Sequence, residues 1–284
     1  MQIVIALAAL AAAAWIGAGL YNGLKVRAYT VRTGKVTGRV RLCLVTDLHS
    51  CDYGEGQEKL TRAIDEGRPD AVVMAGDIFD DKLKDENVEE LLGSLAGRYP
   101  VYYVTGNHEY WSGAEAFRRK MDALKKYGVC VLTGRYEVLE AKGQRIAICG
   151  AGDPAGENTK GLTGAEWPCG FSEQLDRAAE AKGTGLYTVL LCHRPERFEE
   201  YAGRGFDLAL CGHAHGGQWR VPGLINGVYA PDQGLFPRLA GGRYVRGGTT
   251  MIVSRGLARE STRVPRFYNP PEVVMVDIVP ESGE

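Results

Sequence analysis

Five histidines occur in 284 residues, and every one closes or directly follows a short apolar run. "RLCLVTD" ends at Asp47, with His49 two positions on, and "AVVMAGD" ends at Asp77. "VYYVTGNH" ends at Asn107 and His108, "LYTVLLCH" at His193, and "FDLALCGH" at His213, with His215 two positions on. An all-oxygen cage would suit Ca²⁺ or Mg²⁺, and cysteines a structural zinc. Mixed imidazole, carboxylate and amide donors instead suit Mn²⁺, iron or catalytic Zn²⁺. In an extended chain, residues two apart face the same way. Asp47 with His49, and His213 with His215, are therefore expected to present paired donors. Gly76, Gly106, Gly212 and Gly216 beside them let the backbone turn sharply or approach a ligand closely.

The elements that must carry these residues follow from the same runs. Each is short, apolar and rich in β-branched residues, as strands buried on both faces are. Helical patterns lie between them at about 56–67, 85–97, 113–127 and 172–182. Such βαβα alternation implies parallel strands joined by crossover helices. "QRIAICG" (144–150) adds a strand, and from about 218 strand-like runs alternate with Gly- and Pro-rich turns. The expected architecture is two packed sheets flanked by helices in one domain, 40–280. In open α/β sheets ligands bind beyond the carboxyl ends of strands, so the five runs deliver their polar ends to one edge.

Ahead of this domain, residues 1–24 carry no charged side chain. As a helix their apolar part would span roughly 33 Å, about the thickness of a bilayer core. Trp15 and Tyr21 lie toward the far end, where interfacial aromatics are favoured. The expectation is a transmembrane anchor. A signal peptide normally begins with Lys or Arg, which this segment lacks, although its alanines offer a cleavage site. A buried core helix is the third reading. Residues 25–39 read as a basic juxtamembrane tether or a first edge strand. Lys25, Arg27, Arg32, Lys35, Arg39 and Arg41 precede the first acid, Asp47. These charges favour a single-pass cell-membrane protein with its main domain on the cytoplasmic face, or rest on anionic headgroups. Seven cysteines with no CxxC spacing read as reduced thiols, which agrees with that setting. A net charge of −1 leaves no footprint for nucleic acid.

In order and spacing, "DLH" (47–49), "GDIFD" (76–80), "GNHE" (106–109), His193 and "GHAH" (212–215) resemble the five blocks of calcineurin-like metallophosphoesterases. "CHRPERF", "GHAHGGQW" and the late "VSRGLA" resemble the membrane-associated YkuE-type branch. Its relatives include hydrolases of UDP-2,3-diacylglucosamine. The resemblance implies a four-layer α/β-β/α sandwich and a metal-dependent hydrolase of phosphoester or pyrophosphate bonds. It implies two divalent ions (Mn²⁺, Fe or Zn²⁺): Asp47, His49 and His215 on one, Asn107, His193 and His213 on the other, Asp77 bridging. A hydroxide between the ions would attack phosphorus. His108 would protonate the leaving oxygen, with Asp80 accepting its other N–H; a turn or helix cap is the structural alternative for Asp80. The substrate would be a phosphorylated small molecule or lipid-like compound. Arg194 and Arg255 are candidate phosphate clamps, and surface or structural ion pairs are the alternative for both. Asp153 in "GAGDP" either supports the site or starts a turn. The rival function is a metal-binding scaffold of the same fold without catalysis.

Overall fold

The computed structural model describes residues 1–162, 167–259 and 264–281. Helix α1 (Gln2–Gly19) is followed by strands β1 (Lys25–Thr33) and β2 (Val40–Val45). Helix α2 (Glu58–Gly67) leads to β3 (Ala71–Ala75), and α3 (Glu86–Leu95) to β4 (Val101–Val104). Helices α4 (Asn107–Trp111) and α5 (Ala114–Lys126) lead to β5 (Cys130–Val131). Then come β6 (Arg135–Ala141), β7 (Gln144–Gly150), α6 (Phe171–Ala179), β8 (Tyr187–Leu191), α7 (Phe198–Arg204) and β9 (Leu208–Cys211). The short β10 (Tyr229–Ala230) and β11 (Gly234–Leu235) precede β12 (Gly242–Arg246), β13 (Thr249–Val253) and β14 (Glu272–Pro280).

Two six-stranded sheets result, ordered β1-β14-β2-β3-β4-β5 and β12-β13-β9-β8-β7-β6. Strands β2 to β5 are parallel, as are β7, β8, β9 and β13. The sheets are mixed because β14 runs antiparallel to β2, and β6 and β12 run antiparallel at the second sheet's edges. Alternation along a strand explains the layering. Leu42 and Leu44 of β2 enter the core between the sheets, whereas Cys43 and Val45 pack under α2 and α3. In β8, Val189 and Leu191 point inward and Leu190 packs under α6 and α7. Both faces of each central strand are thus buried, so these strands read as unbroken apolar runs. The architecture is the expected α/β fold of two mixed sheets flanked by helices.

Two N-terminal expectations are refined. Lys25–Thr33 is an edge strand rather than a tether: it pairs along its whole length with β14. Val31 and Thr33 reach the core, and the Arg27 guanidinium meets buried Glu272 at 2.6 Å. The folded unit therefore begins at Lys25, not at residue 40. Its basic side chains discourage another strand from adding to that edge. Helix α1 is exposed along its length except at Gly19, which excludes the core-helix reading. It is long and apolar enough to cross a membrane, a property a signal sequence shares. It touches the body of the protein near its end, where the Trp15 ring packs on Phe267 and Tyr268. No disulfide is formed among the described residues.

Candidate metal centre

The carboxyl ends of β2, β3 and β4 meet those of β8 and β9, and every expected donor arrives there. The backbone that presents them is not extended. Asp47, His49, Asp77, His213 and His215 all have positive φ, between 46° and 64°. Each such residue costs roughly 1–3 kcal/mol and persists only where its surroundings impose it. Here they do: Asp47 N–H donates to Gly76 O, His49 N–H to Asp77 O, and Leu257 N–H to Asp47 O. His213 N–H donates to Asp47 Oδ1, and His108 N–H to Asp77 Oδ1. The two D-x-H-like pairs are thus presented by left-handed turns, not by strand periodicity. Glycine is required where these turns crowd together. A Cβ on Gly76 (φ 85°) would lie 2.6 Å from His193 Nδ1, and one on Gly212 would overlap Thr46 and Asp47.

Partners of the imidazoles set which nitrogen is free. His193 donates its Nδ1–H to Ala75 O at 2.8 Å, leaving Nε2 at 3.0 Å from Asp77 Oδ2. His49 gives Nδ1–H to Asp80, and His213 gives Nε2–H to Asp232 at 2.8 Å. The inward nitrogens of His193 and His213 then face each other at 3.2 Å, an arrangement that needs a proton or metal cation between them. Four buried polar atoms here have no hydrogen-bond partner: His49 Nε2, Asp77 Oδ2, Asn107 Oδ1 and His215 Nδ1. Leaving them so costs roughly 1–3 kcal/mol each, and a cation removes that cost. Potential ligand atoms group as Asp47, His49 and His215, and as Asp77, His193 and His213.

Charge is arranged to match. Burial works against ionised Asp77, yet His193, His49 and His108 hold its carboxyl well below the usual range. Burial likewise opposes charge on His193, but Asp77, Asp47 and Asp153 outweigh it and lift the imidazole to about 10. Burial, reinforced by His49 and Arg266, keeps His215 well below the ordinary imidazole value, so it stays a neutral donor.

The expected partner of His108 is corrected. Asp80 Oδ2 lies 3.6 Å from His108 Nδ1 but 3.2 Å from His49 Nδ1. Asp80 Oδ1 is taken by the turn, accepting from the N–H groups of Lys82 and Leu83, so the turn reading of Asp80 holds as well. The next residue, Asp81, reaches out to the rim and accepts from His108 Nδ1 at 2.7 Å.

The two arginines separate. Arg194 lines the same 320 Å³ cavity as Asn107, His108, His213 and His215. Its guanidinium is held by Asp153 at 2.6 and 3.1 Å and by Asp232, the ion pairing that was the alternative to a phosphate clamp. Asp153 both starts a turn, accepting from Ala155 N–H, and anchors Arg194. Arg255 does not line this cavity. It lies in another with Arg27 and Arg220, and its Nε is 3.6 Å from Glu272.

Several site residues had no assigned role in the sequence. Buried Glu109 accepts from the N–H groups of Asp77, Ile78, Phe79 and Gly106, tying the β3 and β4 turns together. Burial and neighbouring Asp77 push its carboxyl up to about 7. Its signal was the Gly-x-x-Glu spacing that caps α4. Asn269 holds the carbonyls of His215 and Gln218. Neither Asn269 nor Asp232 belongs to a run that marks it.

A sequence model of the calcineurin-like phosphoesterases matches residues 40–217. The chain belongs to the calcineurin-like phosphoesterase family. It is 29% identical to an uncharacterized metallophosphoesterase of Aquifex aeolicus (strain VF5), covering 90% of this chain and 92% of that one. It is 28% identical to Phosphodiesterase YaeI of Escherichia coli (strain K12), over 75% and 72% of the two chains. It is 29% identical to the uncharacterized metallophosphoesterase YkuE of Bacillus subtilis (strain 168), over 81% and 76%. Among solved structures, the NAD nucleotidase NadN of Haemophilus influenzae shares the fold with a TM-score of 0.54 and 17% identity. That match covers 78% of this chain and 46% of NadN. The family's reaction is metal-dependent phosphoester hydrolysis on a dinuclear divalent centre, and Asp/His clusters able to bind metal are present here.

Proposed function

We propose that the chain is a dinuclear hydrolase of phosphoester or pyrophosphate bonds. Asp47, His49 and His215 hold one divalent cation, Asn107, His193 and His213 the other, and Asp77 serves both. What supports this reading is the grouping of ligand atoms from Asp47, His49 and His215, and from Asp77, His193 and His213, beside four buried polar atoms without a hydrogen-bond partner. Bound there, Mn²⁺, iron or Zn²⁺ supplies Lewis-acid charge for the phosphoryl oxygens and hydroxide at neutral pH. Asp77 and Asp47 offset the cations' mutual repulsion. His108 holds the proton for the departing oxygen. Asp81 accepts its Nδ1–H, so Nε2 is the exchangeable position. Asp80 acts on metal binding through His49 instead.

The finer reading is an amphiphilic substrate, lipid-linked or a nucleotide sugar such as UDP-2,3-diacylglucosamine. Supporting it, Trp111 and Tyr229 line the cavity while being 60% and 53% exposed. Leu235 and Phe236 stand exposed just beyond Tyr229, enough apolar surface to meet an acyl chain or bilayer. Residues 1–24 would anchor the protein, with the basic residues from Lys25 to Arg41 favouring a cytoplasmic catalytic domain.

The full chain loaded in turn with Mn²⁺, Fe²⁺ or Zn²⁺ should hydrolyse bis(p-nitrophenyl) phosphate with at least one of them. Metal bound without turnover in all three would leave the scaffold reading; no metal bound would remove the centre itself.

A further inference from the structure

A second polar cavity of about 460 Å³ lies behind the turn that carries His215. Three arginines from distant parts of the chain meet in it: Arg27 of β1, Arg220, and Arg255 after β13. The shared wall is backbone, since Arg220 Nη1 donates to Gly216 O at 3.0 Å.

One carboxylate, Glu272, touches two of the three guanidinium groups. Buried Glu272 accepts from Arg27 Nε at 2.6 Å and from the Arg255 backbone N–H, and lies 3.6 Å from Arg255 Nε. Arg220 bonds only uncharged oxygens among the described contacts, those of Gly216 and Asn226. The other titratable groups near the cluster, among the described residues, include the phenols of Tyr29, Tyr244 and Tyr268. Among the described residues, three cations against one anion leave about two positive charges uncompensated in a partly buried space. Burial and the Arg255 charge push Arg220 down to about 10; burial and Arg27 lower Arg255. A doubly ionised or diester phosphate, accepting from planar guanidinium forks, would meet that deficit.

The cavity's position narrows the source of such a group. Tyr268 lines it, and the same residue fastens α1: its hydroxyl donates to Trp15 O at 2.8 Å and its N–H to Gly19 O at 2.6 Å. The cavity therefore opens beside the end of the apolar helix, where a headgroup layer would lie if the helix crosses a bilayer. Leu224 on its rim is 80% exposed, and Val26 beside Arg27 is also exposed.

We propose that Arg27, Arg220 and Arg255 form a second anion site, separate from the metal centre, that takes a phosphate mono- or diester group, placed to receive it from an anionic lipid headgroup. This stands on the arginine geometry and is independent of whether the metal centre turns over.

The test uses the full metal-loaded chain in neutral detergent, followed by native mass spectrometry. It is titrated with phosphatidylglycerol, with phosphatidylcholine, and separately with inorganic phosphate. Phosphatidylglycerol should bind, and Arg27→Gln/Arg255→Gln should weaken it about tenfold or more. An equal charge loss at exposed Arg145→Gln/Arg177→Gln should not. Leu224→Glu keeps all three arginines and changes only an exposed side chain. It places a competing carboxylate at the rim and should weaken binding as well, so the inference survives a double variant that fails to fold. If the loss appears with inorganic phosphate and not with lipid, the site stands with free phosphate as its ligand. If neither anion's binding depends on Arg27, Arg255 or residue 224, the site does not exist.

Discussion

On one side of the 215–220 turn, carboxylates and imidazoles converge; on the other, three guanidinium groups line one cavity with a single carboxylate, Glu272, against two of them. The first cluster is built on strained backbone, with five of its residues at positive φ and four donor atoms left without partners. In the second, none of the three arginines or Glu272 has a positive φ, although Tyr268 in the same wall does (φ 48°). Fixed, desolvated donors at set distances suit a metal, and rigid turns provide them. Surplus positive charge on long side chains suits a diffuse anion and needs no such backbone.

The sharpest way to break this contrast is at Asp77. Asp77→Asn should cost several kcal/mol of transition-state stabilisation, about a thousandfold or more in kcat, with metal content reduced. Retained activity would deny Asp77 its shared role. His108→Ala should lower kcat by about 10² to 10⁴ with both metals retained, measured by turnover alongside metal analysis. Metal loss in that variant would make His108 a ligand instead.

Asp80 and Asp81 sharpen the comparison within the metal centre. Asp80→Asn should weaken metal affinity by about 10- to 100-fold through His49. Asp81→Asn should instead lower kcat while leaving metal affinity near wild type. Exchange of these two phenotypes would restore the expectation that Asp80 partners His108. Glu109→Gln should lower stability by roughly 1–3 kcal/mol, read as a shift in denaturation midpoint, because four backbone N–H groups depend on that carboxylate.

The smallest effect concerns protons. The metal-free His193 imidazole, lifted to about 10, holds a proton at neutral pH that a cation must displace. Metal affinity should therefore rise as pH rises from 7 toward 10. Calorimetry in buffers of different ionisation heat should show proton release at pH 7. No release would mean that His193 is already bare.

The two regions also differ in how far they were legible in sequence. Each metal donor closes a strand whose both faces are buried, so an unbroken apolar run followed by Asp, Asn or His exposes it. The family resemblance assigned donors to the two ions. The D-x-H periodicity argument brought these residues together through extended strand, whereas left-handed turns present them. Adjacent Asp80 and Asp81 could not be told apart, because only the local turn decides which of them reaches His108. Residues 25–33 were ambiguous because an edge strand with alternating basic side chains has the composition of a tether. The insertion of β14 between β1 and β2 is long-range pairing with no local signal. The arginine cavity was invisible for the same reason: residues 27, 220 and 255 share no motif, and only the fold brings them together.

Anomalous diffraction at the manganese edge, from crystals of the full chain grown with Mn²⁺, tests the central claim most directly. Two peaks should appear about 3.5–4 Å apart, one among Asp47, His49 and His215 and one among Asn107, His193 and His213, with Asp77 touching both. A single peak, or none within reach of Asp77, would contradict the dinuclear centre.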